Sequence, residues 1–464
     1  METPHVIVVG GGFAGLTAAV SLASSGVRIT LLEARGQLGG RASSFRDRET
    51  GDWVNNGQHI LMGCYRETFA FLRAIGAEQD IDLQRTLEVT FVDPERRLSI
   101  LRCPPWPPPL NLLGGVLRWR GVGWRARLSA LRLGRVLRRA QTTDNRPPGG
   151  VVRPGETVAG WLARHGQHPE LCSMLWEPLA LAALNEPTDV AAASPFVRVL
   201  GQMMNGRTQD AALGIPIKPL AALSTLAGSV IEAAGGRVRA HSLARVRLAG
   251  DRLIGVDVRD ERDADSSTPI EADAVIVAVP WFDLPRVFID EANDGGPGRM
   301  GPLCRAAAAT AASPIVSVNI WFDREILPCA FVGLPGRRLQ WAFDKRAVIG
   351  EDASHVTLVG SGAQELLRQS NASLAALALG ELREALPSAR HASVRRTLVV
   401  REPRATFSLA ADQPARPPTA TAVPRLLLAG DWVDTGLPGT IEGACLSGRW
   451  AADAARRVLG DAIE

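Results

Sequence analysis

The hydrophobic positions near the start of the chain predict a strand that runs directly into a helix. Residues 6–9 are consecutive apolar residues, the pattern of a strand buried in a parallel sheet. Apolar residues then recur at helical spacing at positions 16, 19, 20 and 23. Residues 28–32 are mostly apolar and predict a second strand. The order strand, helix, strand indicates an α/β unit with parallel strands.

The middle of the chain predicts a β-hairpin and then another buried strand. Residues 236–246 and 252–258 alternate between apolar and polar positions around a turn at Gly250. The segment that begins at Ala272 is almost entirely apolar until Pro280 ends it.

A basic amphipathic helix is predicted between these regions. Apolar residues follow one helical face at Ala126, Ala130, Leu133, Leu137 and Ala140. Most nearby arginines fall away from that face, and no acidic residue occurs between Arg96 and Thr143. Because such helices bind anionic membranes, residues 101–140 predict a membrane contact. The alternative is a lid helix with a solvated arginine face. Nucleic-acid binding is not expected, since no usual module for it is present.

The composition limits where the protein works. With 464 residues, 46% of them hydrophobic, the chain can bury two cores of ordinary size. Its six cysteines show no Cys-x-x-Cys spacing, which argues for a reducing compartment and against a metal site. No run of about 18 apolar residues is present, and the first apolar run is too short for a signal peptide. We therefore expect a cytoplasmic protein that associates peripherally with the membrane.

The glycines between the first strand and helix carry the first chemical signal. Gly10, Gly12 and Gly15 have the Gly-x-Gly-x-x-Gly spacing of a dinucleotide-binding turn. Gly10 permits the tight turn, Gly12 lets the backbone approach a pyrophosphate, and Gly15 allows close helix packing. The phosphates would lie on free N–H groups at the helix N-terminus. Glu33 ends the second strand, where a carboxylate accepts hydrogen bonds from ribose hydroxyls and favours FAD or NAD over NADP.

The segment after Glu33 separates FAD from NAD. Its pattern, Arg35-x-x-x-Gly39-Gly40-Arg41, resembles the segment that follows the nucleotide-binding unit in the flavin amine oxidase and phytoene desaturase superfamily. The resemblance implies a Rossmann-like FAD-binding domain. There the glycines let the backbone close on the cofactor, and Arg35 and Arg41 supply cations for its phosphates.

Two segments near the end of the chain resemble the second half of the same flavin site. Residues 426–431 resemble the late strand and its Gly-Asp turn, and residues 439–448 resemble the helix whose first amides face the flavin pyrimidine. No cysteine lies between Asp431 and Pro438, so we expect FAD to be bound non-covalently. The cofactor-binding residues expected from all these motifs are Gly10, Gly12, Phe13, Ala14, Gly15, Glu33, Ala34, Arg35, Gly39, Gly40, Arg41, Gly57, His59, Val246, Gly430, Asp431, Thr440 and Ile441.

The resemblance implies an α/β fold in which the Rossmann-like FAD-binding domain is interleaved with a mixed α+β substrate domain. The FAD-binding domain would comprise residues 1–75, 235–285 and 395–464. The substrate domain, facing the membrane, would comprise residues 76–234 and 286–394. In this arrangement the backbone of Val246 would pair with the adenine.

Three further segments, residues 52–65, 175–179 and 183–187, resemble the hydroxysqualene dehydroxylases within this superfamily. The resemblance implies reductive removal of an allylic hydroxyl from hydroxysqualene to give squalene, in hopanoid biosynthesis. Reduced FAD would be the electron donor, and what reduces it is unknown. A carotenoid-type desaturase on the same fold is the nearest alternative. A flavin amine oxidase is disfavoured because Tyr65 is the only tyrosine. A non-catalytic prenyl-lipid escort protein is disfavoured because the FAD motifs are complete.

This reaction needs a group that protonates the departing hydroxyl, and two residues are candidates. His59 is the first, because the Gly57 segment is expected to run along the flavin ring. Glu177 is the second, because apolar neighbours in the sequence are expected to keep its carboxyl protonated. In the structural alternatives, His59 only hydrogen-bonds the flavin or backbone, and Glu177 only caps or pairs at a helix end. Asn185 would orient the hydroxyl or, alternatively, satisfy backbone groups.

Overall fold

The computed structural model describes residues 3–23, 25–140, 151–204, 206–260, 267–293, 295–346 and 354–460, and at residues 135, 137–140 and 293 it describes the backbone alone. A π-helical turn at Cys172–Trp176 joins two of the helices. The helices are α1 (Phe13–Ala23), α2 (Arg66–Ala74), α3 (Leu110–Arg118), α4 (Trp124–Ala140), α5 (Val158–Arg164), α6 (Pro169–Leu171), α7 (Glu177–Leu184), α8 (Ala193–Met203), α9 (Leu220–Ala233), α10 (Gly301–Ala309), α11 (Asn371–Ala385), α12 (Pro387–Arg390) and α13 (Ile441–Gly460).

The strands form several sheets that the chain visits more than once. They are β1 (His5–Val9), β2 (Arg28–Leu32), β3 (Ser44–Arg46), β4 (Trp53–Asn55), β5 (Leu61–Met62), β6 (Ile81–Leu83), β7 (Glu88–Val92), β8 (Leu98–Arg102), β9 (Leu213–Pro216), β10 (Arg237–Arg239), β11 (Ser242–Ala249), β12 (Arg252–Asp260), β13 (Ser267–Ile270), β14 (Ala274–Val277), β15 (Phe288–Asp290), β16 (Ala312–Phe322), β17 (Phe331–Gly333), β18 (Trp341–Asp344), β19 (Ser354–Ser361), β20 (Val394–Phe407) and β21 (Leu426–Leu428).

A five-stranded parallel sheet in the order β10-β2-β1-β14-β21 positions the candidate cofactor site. Its three central strands carry continuous apolar runs and are almost entirely buried, as strands covered on both faces must be. The strands predicted at residues 6–9 and 28–32, and in the segments after Ala272 and before Gly430, are confirmed.

The predicted hairpin is confirmed in part. β11 and β12 pair antiparallel around Gly250, within a four-stranded sheet in the order β13-β12-β11-β15. Residues 237–239, which we expected in the same hairpin, form β10 instead and pair with β2 of the parallel sheet. His241 has a left-handed φ of 54° between β10 and β11, so the chain turns out of one sheet before it enters the other.

A seven-stranded mixed sheet in the order β20-β16-β19-β18-β17-β7-β8 forms the other large layer. β20 pairs with β16 from Ala312 to Phe322 and so forms one edge of this sheet. The α/β fold class with parallel and antiparallel sheets is confirmed. The domain boundaries stay predictions.

α4 is the predicted basic helix, but its apolar face lies elsewhere than expected. Ala126, Ala130 and Leu133 are 0%, 3% and 1% exposed and pack into the protein core. This face is therefore closed to a membrane, as the lid-helix alternative required. The side chains of Leu137 and Ala140 lie outside the described residues.

Candidate functional site

The glycine-rich turn between β1 and α1 has the shape that a bound phosphate needs. Gly10 has a φ of +108°, and a Cβ there would lie 2.7 Å from the carbonyl oxygen of Ala278. A Cβ at Gly15 would clash with the carbonyl oxygen of Gly10. Gly12 is different, because the nearest atom to a Cβ there is 4.0 Å away, on Gly40. Two glycines thus let the turn close, and the third leaves an open face on it.

The first turn of α1 points unpaired donors at that open face. The helix begins at Phe13, and the N–H of Leu16 is the first to bond within it, donating to the carbonyl of Gly12 at 2.9 Å. The preceding N–H groups, including those of Phe13 and Ala14, have no intrahelical acceptor. Such a helix N-terminus attracts an anion.

Glu33 is 8% exposed and supports the turn from below. Its Oε2 accepts the N–H of Gly11 at 2.7 Å, and its Oε1 accepts the N–H of Arg35 at 2.8 Å. A carboxylate oxygen has a second lone pair, so Glu33 keeps the capacity to accept ribose hydroxyls. The side chains of Ala34 and Arg35 are exposed beside it.

The Gly39-Gly40 loop closes over the same turn. The N–H of Gly39 donates to the carbonyl of Gly11 at 2.8 Å, and Gly39 bridges Gly12. The φ angles of Gly39 and Gly40 are +107° and +62°, values that glycine adopts most readily. A Cβ at Gly40 would lie 3.1 Å from the Cα of Gly12. The two glycine segments therefore line one another closely.

Arg41 and Asp431, 390 residues apart in the chain, join the early and late motifs. Arg41 Nη2 donates to Asp431 Oδ1 at 2.5 Å, and Nη1 donates to the carbonyl of Ala405 at 2.8 Å. Arg41 therefore has a structural role, which is to join the two motifs. It also keeps its positive charge for the expected contact with a cofactor phosphate. Three of its five N–H donors are left for a ligand.

The late motif continues into α13 as expected from the sequence. Thr440 precedes the helix, and its Oγ1 accepts the N–H of Gly443 at 3.2 Å. This cap leaves the first N–H groups, including that of Ile441, without an intrahelical partner. Gly430 is held beside the helix, since its N–H donates to Ser447 Oγ at 2.9 Å.

α13 packs directly against α1. A Cβ at Gly448 would clash with the carbonyl oxygen of Ala14. At 1.5 Å per residue, the start of α13 lies about 10 Å along its axis from that contact. Two helix N-termini thus carry unpaired donors at points about 10 Å apart along α13, and an extended dinucleotide could bridge such points.

The assignment of Val246 to the adenine needs correction. Its N–H donates to the carbonyl of Val287 at 2.7 Å within the sheet, so it is not free to pair with a base. The start of β11 lies next to Glu33, the residue expected to bind the ribose, because the N–H of Ser242 donates to the backbone carbonyl of Glu33 at 2.8 Å. Leu243, the next residue, is 43% exposed there.

His59 is held as a neutral imidazole. Its Nδ1 lies 2.9 Å from the carbonyl of Gly57, and since a carbonyl only accepts, Nδ1 carries the proton. Burial lowers the pKa of His59 to about 4, with the positive charges of Lys345 and Arg41 acting in the same direction and the hydrogen bond to Gly57 acting against them. At neutral pH the residue has no acidic proton to give, and its Nε2 is an acceptor.

Lys345 is a functional candidate that we did not predict. It is 1% exposed, and its Nζ donates to Gln58 Oε1 at 2.8 Å, next to His59. Gln58 Nε2 is buried and has no partner among the described residues, so it is a donor available to a ligand. The sequence held one signal, because Lys345 is one of only two lysines in an arginine-rich chain.

Asn185 fits its structural alternative, whereas Glu177 makes no side-chain cap bond at the start of α7 and stays a prediction. Glu177 opens α7, and desolvation followed by the nearby Asp189 raises its pKa, as expected. However, the residue is exposed, so it does not lie in the dry pocket that an acid of this kind requires. Asn185 Nδ2 donates to the carbonyl of Ser313 at 3.0 Å, and its Oδ1 accepts the N–H of Gly362 at 2.9 Å. These bonds tie the end of α7 to the seven-stranded sheet.

A small, partly open cleft lies at the start of α13. Tyr65, which hydrogen-bonds Thr440, is on its wall. Glu442 also borders it but turns to cap α2, accepting the N–H of Thr68 at 2.8 Å. The other lining residues are mostly apolar: Met62, Cys64, Val199, Gln202, Leu437 and Pro438.

Trp432, beside Asp431, is 4% exposed and donates through Nε1 to the carbonyl of Val279 at 3.0 Å. It is therefore a core residue.

Within the described ranges there is no cluster of three residues that could hold a metal ion. In the same part of the chain, no helix is long and apolar enough to cross a membrane.

Comparison with known proteins agrees with this geometry. The family model of flavin-containing amine oxidoreductases matches residues 13–456. Hydroxysqualene dehydroxylases from Zymomonas mobilis and Rhodopseudomonas palustris are 28% and 30% identical to the chain, over 98% and 97% of it and 99% and 98% of their own lengths. The 15-cis-phytoene desaturase of Narcissus pseudonarcissus is 24% identical over 97% of this chain and 78% of its own. The solved structure of cyclohexylamine oxidase from Brevibacterium oxydans has a TM-score of 0.67 at 16% identity, covering 99% of this chain and 100% of that one, so it shares the fold.

Proposed function

This chain belongs to the flavin-containing amine oxidoreductase family, and from that premise we propose that it is an FAD-dependent hydroxysqualene dehydroxylase. It would remove an allylic hydroxyl from hydroxysqualene and release squalene. The observation that carries the proposal is the similarity to hydroxysqualene dehydroxylases over nearly the whole of both chains. The phytoene desaturase is more distant and extends well beyond the matched region.

The residues of the site fit FAD, which is the cofactor of the enzyme. The open face of Gly12 and the free donors of α1 suit the pyrophosphate. Glu33 keeps lone pairs for the ribose, and the start of α13 offers N–H donors about 10 Å along its axis from the contact with α1. The pair of Arg41 and Asp431 holds both halves of the site together.

The proposed reaction has a simple balance of atoms and electrons. When bound and reduced, FAD would supply the hydride that replaces the hydroxyl on carbon. The C–O bond breaks with its electron pair on oxygen, and one proton must reach that oxygen so that it leaves as water. The protein must therefore exclude bulk water, orient the hydroxyl and deliver one proton.

The neutral state of His59 suggests which of these tasks it performs. Its Nε2 can accept the hydrogen bond of the substrate hydroxyl, which would orient the oxygen lone pairs towards a proton donor. Gln58 contributes a buried N–H donor next to His59, and Lys345 reaches the same place from a distant part of the chain by donating to Gln58. We therefore assign His59 an orienting role and assign Lys345 the role of keeping this segment positively charged.

An anaerobic single-turnover experiment tests the proposal. Enzyme reduced with dithionite is mixed with hydroxysqualene, and the flavin spectrum and the extracted lipids are followed together. We expect reoxidation of the flavin with one squalene formed per flavin. Squalene in place of the alcohol is the matched control and should leave the flavin reduced. Flavin that stays reduced in the presence of the alcohol would overturn the proposal.

The desaturase alternative predicts the opposite change in the flavin spectrum under the same anaerobic conditions. A desaturase would be reduced, in its oxidised form, by a saturated isoprenoid such as phytoene and would lengthen the conjugation of the product. A cytoplasmic location stays a prediction.

A further inference from the structure

The solvent-facing side of α4 carries a stripe of exposed apolar side chains that we did not predict from the sequence. Trp124, Leu128 and Leu131 are 62%, 47% and 45% exposed. Their spacing of four and then three residues puts them on one side of the helix. This side is opposite the buried face of Ala126 and Leu133. α4 is thus apolar on two faces, one packed into the protein and one open.

α3 extends this stripe into a broader surface. Arg127 Nη1 donates to the carbonyl of Leu117 at 3.3 Å, and the Cδ1 of Leu113 lies 3.4 Å from where a Cβ on Gly134 would stand. These contacts run in opposite chain order, so α3 and α4 are antiparallel neighbours. Leu117, 36% exposed, comes one helical turn after the contact residue Leu113, so it lies beside the stripe of α4.

The same surface is strongly basic. Arg118 stacks over Trp106 at 4.5 Å, and Arg125 stacks over Trp124 at 5.3 Å. Arg120 and Arg132 are also exposed, and the chain has no acidic residue between positions 96 and 143. Glu170 approaches this surface at its edge, where its Oε1 accepts the N–H of Gly123 at 3.0 Å.

We propose that this surface, formed by Trp106, Leu110, Leu117, Trp124, Leu128 and Leu131 with Arg118, Arg120, Arg125 and Arg132, docks the protein onto an anionic lipid bilayer. The aromatic and leucine side chains would enter the headgroup boundary, and the guanidinium groups would bind lipid phosphates. The protein would then lie on the membrane without crossing it.

Charge complementarity decides between a bilayer and a second copy of the chain. Two copies meeting through this surface would bring two sets of arginines together with few carboxylates to neutralise them. An anionic bilayer offers phosphates to the same arginines and a hydrocarbon boundary to the same apolar side chains. The proposal is independent of the reaction, but it would explain how a site of this family reaches a water-insoluble substrate.

Vesicle sedimentation of the FAD-loaded protein tests the proposal. Wild type is expected to bind vesicles of phosphatidylcholine with phosphatidylglycerol, and to bind pure phosphatidylcholine far more weakly. The variant Trp124→Ser/Leu128→Gln/Leu131→Gln should lower the partition coefficient on the mixed vesicles by about tenfold or more, because the apolar insertion is lost. A control variant, Val190→Gln/Ile217→Gln/Leu226→Gln, removes apolar side chains of similar exposure elsewhere and should partition like wild type.

Charge is tested separately from insertion. Replacing Arg118, Arg120, Arg125 and Arg132 with Gln should abolish the preference for phosphatidylglycerol, while replacing all four with Lys should keep it. Equal partitioning of the Trp124 variant and wild type would overturn the proposal. A wild-type dimer in sedimentation velocity that this variant dissociates would also overturn it, and would make the surface an interface between copies. Failure of the dehydroxylation assay has no bearing on these results, since no substrate is used.

Discussion

At the scale of single residues, Glu33 has two roles, a predicted contact with the ribose and support of the glycine-rich turn, and the sequence indicates only the first. Its position after β2 predicts a ribose contact, and that follows from spacing alone. Its bonds to the N–H groups of Gly11 and Arg35 hold the glycine turn in shape, and only the structure reveals them. Substitutions at Glu33 should therefore affect both the ligand and the turn.

We expect Glu33→Ala to raise the dissociation constant for FAD by roughly 10- to 100-fold, the cost of losing charge-assisted hydrogen bonds. Glu33→Gln keeps one acceptor oxygen and should fall between this variant and wild type. Quenching of flavin fluorescence during titration of the apoprotein measures the constants. Undiminished affinity in Glu33→Ala would contradict the ribose assignment.

His59 predicts a pH dependence of stability. Its pKa is lowered by burial from an ordinary 6.5 to about 4, and burial likewise lowers that of His355 to about 3. Both residues are thus neutral in the folded protein and bind protons more readily when unfolded. Stability should be fully present above pH 6.5 and should fall as the pH drops from there towards 4.

Urea unfolding of the apoprotein at several pH values measures this effect. Since one pKa unit corresponds to about 1.4 kcal/mol, His59 alone should account for roughly 2 to 3 kcal/mol of the loss. His59→Gln cannot take up a proton and should show a correspondingly shallower fall between pH 6.5 and 4. Parallel curves for the two proteins would mean that His59 titrates normally in the fold.

At the scale of elements, periodicity located the helices and strands but not their surroundings. The apolar positions of α4 predict a helix over 126–140, and the structure extends that helix to Trp124. The same positions do not reveal whether a neighbouring element covers them. A buried face and a membrane face obey one spacing rule, so the face at Ala126 was assigned to the wrong environment. Val246 was misassigned for a similar reason, because pairing with β15 cannot be read from one strand.

The contact between α1 and α13 gives a prediction with a matched control. A Cβ at Gly448 would clash with the carbonyl of Ala14, whereas Gly460, the last residue of the same helix, has nothing within 4 Å of an added Cβ. Gly448→Ala should lower the free energy of unfolding by roughly 1 to 3 kcal/mol, as overpacking does. Gly460→Ala should be neutral or slightly stabilising, because alanine favours helix.

Thermal unfolding of the two variants, with and without added FAD, separates packing from cofactor binding. Gly448→Ala should also gain less from FAD than wild type, since both helices carry the N-termini that face the cofactor. If Gly448→Ala and Gly460→Ala melt alike, the close approach of α1 and α13 is not as tight as described.

At the scale of the whole molecule, the parallel sheet brings together strands that start at residues 5, 28, 237, 274 and 426. The motifs at its ends carried enough chemistry for the sequence to predict that they share one cofactor. No local pattern encodes which sheet a returning strand joins, because strand pairing depends on contacts across hundreds of residues. The placement of β10 with β2, and of β20 with β16, came from the structure alone.

Substitutions at Arg41 and Asp431 can test whether the early and late motifs bind FAD as one site. The two side chains meet at 2.5 Å, with Asp431 nearly buried and Arg41 partly so. If they join the two halves of the cofactor site, Arg41→Gln and Asp431→Asn should each weaken FAD binding, and the double variant should be little worse than either. A double-mutant cycle on FAD dissociation constants should therefore give a coupling of about 1 to 3 kcal/mol. Strict additivity would mean that each residue contacts FAD independently, and the link between the early and late motifs would then rest on the packing of α1 against α13.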